Sequence, residues 1–120
     1  MRVYIAGKYS DNNVLAVLNN MRKGIQAATK VFLAKMSPFC CWLDYHFVFQ
    51  MNELEVDSIK VEDYYEYCID WMKVADVVYV LPGFEDSKGT LAEIKLANEL
   101  CIPIVYNFKD LLEFKKNRAL

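Results

Sequence analysis

Three observations predict an α/β fold. Short apolar runs alternate with stretches of helical periodicity along the whole chain. The strongest of these runs, Val77-Val78-Tyr79-Val80-Leu81, is β-branched and apolar at every position, the pattern of a strand covered on both faces. No repeat, low-complexity stretch or linker interrupts the 120 residues. Together they indicate a single domain over residues 1–120, of the flavodoxin or Rossmann kind. Its three layers enclose a parallel sheet of four or five strands.

Each element has a local reason. Val3-Tyr4-Ile5-Ala6 is a buried strand closed by Gly7. Asp11-Asn12-Asn13 supplies N-cap chemistry for a helix reaching about Lys35. Its apolar positions Val14, Leu18, Met21, Ile25, Ala28 and Phe32 recur at steps of three and four. Met36 to Trp42 reads as a second strand, with Pro38 marking an edge. The aromatic segment Asp44–Asn52 fits a short helix or an ordered loop. A helix from Val61 sets Val61, Tyr64, Tyr65, Cys68, Trp71, Met72 and Ala75 on one face, with Glu62, Asp63, Glu66, Asp70 and Lys73 on the other. After Val77–Leu81, the loop Pro82–Ser87 leads to a helix capped by Ser87 and ending near Leu100. Cys101 to Tyr106 makes a fourth strand, and a charged helix follows from Lys109.

Composition narrows the function. Fourteen Lys and Arg against sixteen Asp and Glu give a net charge of −2, with no basic block to displace counterions, so nucleic acid is not the expected partner. No apolar run approaches the ~20 residues that span a bilayer, and the first residues lack the apolar stretch of a signal peptide. The expected setting is the cytoplasm, with no membrane partner. Cys40, Cys41, Cys68 and Cys101 form no CxxC pair, and one histidine, His46, completes no zinc pattern. Four buried, reduced thiols and no metal are expected. Neither a Walker nor a GxGxxG pattern is present, and no cofactor is expected.

In a parallel α/β sheet the site lies beyond the carboxyl ends of the strands. That directs attention to Gly7–Ser10, Trp42–His46 and Pro82–Ser87. The stretch from Gly83 through Ser87 and Gly89 to Thr90 is either an anion seat at a helix N-terminus or a plain cap. Glu93 falls about 40° around the helix from Ala97, bordering its apolar face. It is either a poised carboxylate or a surface residue near a helix dipole. Tyr4 is either core or site; Lys8 is either a phosphate partner or solvated; Tyr9 could stack on a ligand. Trp42, Tyr45 and Phe47 either wall a pocket for a flat base or join the core. His46 titrates near neutrality but has no visible partner.

Taken in order, three segments resemble the nucleoside 2-deoxyribosyltransferase-like superfamily. These are Val3–Gly7, Ala75–Val78, and Ser87-Lys88-Gly89-Thr90-Leu91-Ala92-Glu93. Pro38–Asp44 and Leu81–Phe84 are similar to its small uncharacterised bacterial and phage members. The resemblance covers about Met1 to Tyr106. It implies cleavage or transfer of an N-glycosidic bond in a nucleoside or nucleoside 5′-monophosphate. By the same resemblance Glu93 would be the nucleophile, Tyr4 would sit by the sugar, Ser87 would bind a 5′-phosphate, and the chain would form a homodimer or larger homo-oligomer. One departure is Cys68, standing where the active enzymes carry an inward aspartate. Asp70 is turned about 200° away and cannot replace it. Ser10 stands where the hydrolases have an arginine, with Lys8 two residues earlier. Asp44 is the remaining carboxylate near the mouth and the candidate acid. The expected set is therefore Glu93, Tyr4 and Asp44 for chemistry, with Gly7, Lys8, Tyr9, Ser10, Trp42, Gly83, Ser87 and Gly89 for binding. The other reading of the same residues is a nucleotide-binding module that senses or sequesters its ligand without cleaving it.

Overall fold

The computed structural model describes residues 1–119. Its sheet holds four parallel strands, β1 (Arg2–Ala6), β2 (Ser37–Cys40), β3 (Val77–Val80) and β4 (Ile104–Val105), in the order β2-β1-β3-β4. Five helices accompany them: α1 (Val14–Leu33), α2 (Tyr45–Met51), α3 (Val61–Met72), α4 (Lys88–Glu99) and α5 (Phe108–Arg118). Alternation along the central strands makes the two core layers. Val3, Ile5, Val77 and Tyr79 pack with Ala28 and Val31 of α1 and Leu111 of α5. Tyr4, Ala6, Val78 and Val80 pack on the opposite face with Met72 of α3 and Ala97 of α4. Register pairs Val3 with Val77 and Ala6 with Val80, so β1 and β3 end side by side. The chain leaves β1 for β2 on one side and returns to β3 on the other, which opens a crevice at their carboxyl ends. No helix of the described residues is long and apolar enough to cross a membrane.

Several expectations are corrected, each for a packing reason. The inward face of α1 carries Gly24, Ala28 and Val31, while Val14, Leu18 and Phe32 are exposed. The helix is turned this way by Trp42. A Cβ on Gly24 would lie 2.2 Å from the indole, so the ring fills the space only a glycine leaves. For the same reason β2 stops at Cys40 instead of running to Trp42. Cys41–Asp44 forms a 3-10 turn that swings the indole under α1, where it is wholly buried. Pro38 does lie on an edge strand, and the segment after Asp44 is a short helix.

The strand expected over Cys101–Tyr106 is only two residues long. Cys101 and Ile102 are used instead to close α4: the Cys101 amide donates to Asn98 and the Ile102 amide to Ala97. The same closure ends α1, where the Lys35 amide donates to Phe32 and that of Met36 to Val31. Both closures place a non-glycine residue in the left-handed region, Lys35 at φ 66° and Cys101 at φ 58°. Cys101 is consequently exposed and Cys68 half-buried; only Cys40 and Cys41 are the buried thiols expected of all four. On α3, only Met72 is buried, and Val61, Tyr65 and Trp71 are at least half exposed.

Candidate active site

The first loop is shaped from below. Gly7 follows β1 directly, and a Cβ there would stand 3.1 Å from Trp42 and 3.2 Å from Leu81. The Trp42 indole N–H donates to the Lys8 carbonyl at 3.3 Å, fixing the turn. Trp42 therefore supports the loop from inside the core and does not wall the cleft, a correction to its expected binding role. Tyr9 stacks on its upper face with ring centroids 6.4 Å apart. From there the Tyr9 hydroxyl donates to Asp44 Oδ1 at 2.9 Å. Asp44 is 7% exposed, and burial raises its carboxyl despite that hydrogen bond.

The second wall is α4. Ser87 caps it, accepting the Thr90 amide at 3.3 Å and lying 2.9 Å from the Thr90 hydroxyl. Thr90 and Ala97 are buried against the sheet. That orientation carries Glu93 over the end of β1, where the Tyr4 hydroxyl donates to its carboxylate. Burial pushes the Glu93 carboxyl up to about 7, against the lowering pull of the Tyr4 bond. Burial and the Glu93 charge also push the Tyr4 hydroxyl far up, so it remains a donor. Cys68 of α3 faces the same hydroxyl, and burial raises its thiol to about 12. The floor of the site thus holds a carboxyl, a phenol and a neutral thiol.

These groups line one cleft of about 840 Å³, and so do Gly7, Lys8, Ser10, Ser87 and Gly89. Its outer wall is apolar and aromatic, built from Tyr45, Val48, Val61, Tyr64, Tyr65 and Ile69. Tyr64 and Tyr65, on the apolar face that the sequence predicts for α3, border this cavity and not the core. Their half-exposure is the reason α3 is apolar yet little buried. Asp86, a residue of the loop Pro82–Ser87 that its type alone does not distinguish, also lines the cleft. It accepts Lys8 Nζ at 3.0 Å, with Asp11 3.8 Å from the same ammonium. A second cavity of about 710 Å³ lies across that ion pair, lined by Asn20, Lys23, Gly83 and Glu85. Gly83, at φ 85°, belongs there and not to the cleft. Phe47 packs on Tyr67 and His46 on Phe49, neither of them in the cleft lining.

Residues 43–106 match the family described as a domain of unknown function, DUF4406. The chain belongs to that family. The DUF4406 segment carries Asp44, Cys68, Ser87 and Glu93, while Tyr4 and the loop Gly7–Ser10 lie ahead of it. No curated protein matches the chain. Among solved structures it is similar to a 2-deoxyribosyltransferase from the psychrotolerant bacterium Bacillus psychrosaccharolyticus, an enzyme characterised as a biocatalyst for nucleoside synthesis. The TM-score is 0.57 at 12% identity, over 91% of this chain and 79% of that one. At that identity the likeness establishes a shared fold for the DUF4406 chain.

Proposed function

We propose that this chain breaks or transfers the N-glycosidic bond of a nucleoside or nucleoside 5′-monophosphate. The observation that carries the reading is the Glu93 carboxylate held by the Tyr4 hydroxyl at the floor of the cleft. In this reading a Glu93 oxygen attacks the anomeric carbon and forms a sugar ester as the carbon–nitrogen bond breaks. The departing base takes a proton from Asp44, whose raised carboxyl suits a donor, directly or through one water. Water, or a second base, then attacks the same carbon, returning a proton to Asp44 as the ester bond breaks and frees Glu93. Tyr4 orients the nucleophile, and the aromatic wall of Tyr45, Tyr64 and Tyr65 receives the flat base. The fold shared with a deoxyribosyltransferase supports the general chemistry.

Cys68 favours a second reading. A thiol raised to about 12 is neutral and a poor proton donor to a departing base, so the cleft can also serve a binding module that does not cleave its ligand. A panel of ribo- and deoxynucleosides and their 5′-monophosphates, with free base followed by chromatography, decides between them. The glycosidic reading expects base release that disappears in Glu93→Ala while ligand binding persists. Saturable binding with no release from either protein would establish the binding module. We further propose a homo-oligomer, supported by α2, which buries none of its residues and leaves Phe47, Val48 and Phe49 exposed. Sedimentation of the purified protein tests that.

A further inference from the structure

The outer wall of the cleft includes a helix that the chain itself leaves uncovered. In α2 every residue from Tyr45 to Gln50 is exposed, and the turn after it leaves Leu54, Val56 and Ile59 exposed as well. A helix of seven residues is far below the ~12–15 at which an isolated helix holds in water, and this one buries nothing that would compensate. The whole chain exposes 8173 Å², about 1,500 Å² more than a compact monomer of 14.0 kDa. That excess falls within the roughly 1,000–2,500 Å² that each copy of an obligate homodimer buries. Charge narrows the choice of partner. Glu53, Glu55 and Asp57 make this segment acidic, which opposes an anionic membrane or nucleic acid. The chain carries its own complement at the start of α1, where exposed Leu15, Leu18 and Arg22 lie within about 60° of one another around the helix, with Lys23 beside them.

We infer that a second copy of this chain covers the arm of residues 45–59, with the apolar and basic strip at the start of α1 as the matching surface. The inference deepens the proposed homo-oligomer and rests on it. In a two-fold arrangement each arm lies on the α1 strip of the other copy, so the contact forms twice and closes. It also reaches the site, because Tyr45 and Val48 of α2 belong to the outer wall of the cleft. Packing Phe47 and Phe49 against the second copy fixes α2, and with it that wall. A nucleoside in the cleft would meet Tyr45 and Val48 and leave Phe47, Phe49 and Leu54 in water. Association of two copies, and not the ligand, therefore shapes this side of the site.

Sedimentation over a wide range of concentration, hydrogen exchange and titration with 2′-deoxyadenosine test this together. The wild-type protein is expected to sediment as a dimer. Phe49→Glu and Leu15→Glu, each at a largely exposed position, should each weaken association at least tenfold without unfolding the chain. In the dissociated variants the amides of residues 45–51 should exchange at least tenfold faster than in the dimer, while those of β1 and β3 keep their protection. 2′-Deoxyadenosine should bind the dissociated variants at least tenfold more weakly than the dimer. A wild-type monomer at every concentration would leave the arm to a different partner, and overturns both the inference and the homo-oligomer. An oligomer that survives either substitution, or exchange over residues 45–51 that does not change on dissociation, overturns the inference alone. The nucleoside reading fails on a separate result: a dimer that both substitutions break, yet which binds no nucleoside.

Discussion

At the carboxyl ends of β1 and β3, Glu93 is held by one phenol inside a cleft, and burial lifts its carboxyl to about 7. At the amino ends of the same two strands, Asp76 accepts the Arg2 amide at 2.6 Å and pairs with Arg118 at 2.9 Å. These bonds hold its carboxyl below the usual range. Both groups are carboxylates beside a strand end, and their surroundings treat them oppositely. Asp76 keeps solvent, a backbone donor and a guanidinium, all of which favour the charge. Glu93 is half-buried at the cleft floor, beside a single neutral donor and a thiol. The lower end of the sheet stabilises the fold, tying α5 to the amino ends of β1 and β3. The upper end keeps an ionisable group at the expense of stability, the relation expected of a candidate reactive site and its scaffold.

The largest break in that comparison is Glu93→Gln. Base release should fall by about 10³-fold or more, as for loss of a nucleophile. Stability should move the other way. Between the ordinary 4.5 and about 7, folded Glu93 holds a proton that the unfolded chain has released. Raising the pH through that window therefore favours unfolding, by up to about 3 kcal/mol. Urea unfolding at pH 5 and pH 8 should show the wild type losing stability and Glu93→Gln losing much less.

Asp44→Asn comes next, with base release lowered by roughly 10²–10⁴-fold if Asp44 protonates the leaving base. Tyr9→Phe removes a hydrogen bond that lowers the Asp44 carboxyl, so the limb of the pH–rate profile set by Asp44 should move upward. An unchanged profile would detach Asp44 from the chemistry.

At the other end, Asp76→Asn should cost about 1 kcal/mol at neutral pH, the scale of a partly exposed ion pair. Its carboxyl is lowered in the fold, so this stability is present above the ordinary carboxylate range and is lost as pH falls through the folded value. The gap between wild type and variant should close in acid. Base release should not change.

The smallest effect expected is a gain. Lys35→Gly and Cys101→Gly, both in the left-handed region where a helix feeds the amino end of a strand, should each add about 0.5 kcal/mol without altering activity. A loss in either would mean that the side chain makes contacts outweighing its backbone strain.

Much of this was legible in local pattern. Val77–Val80 announces a strand buried on both faces, and it is buried throughout. Asn13 and Ser87 are cap residues standing at helix starts, and the helices begin there. Glu93 could be placed beside the inward stripe of α4 by counting 100° per residue from Ala97. These readings depend on residues within a turn or two of each other, where period and capping act. The helix ends were harder, because Lys35 and Cys101 occupy positions usually marked by glycine.

Only the tertiary structure decided which face of α1 turns inward. The outcome depends on fitting the Trp42 indole against Gly24, eighteen positions apart, and volume matching of that kind leaves no periodic trace. It likewise decided that the apolar face of α3 walls a cavity instead of filling the core. Lys8 shows the same limit for charge. Its loop could be located from the sequence, but its partner Asp86 is 78 residues away, and that pairing arises only when β1 and β3 end side by side. The chain alone determined the elements and the candidate carboxylate. Packing between distant residues determined the cleft, its wall and the charge at its end.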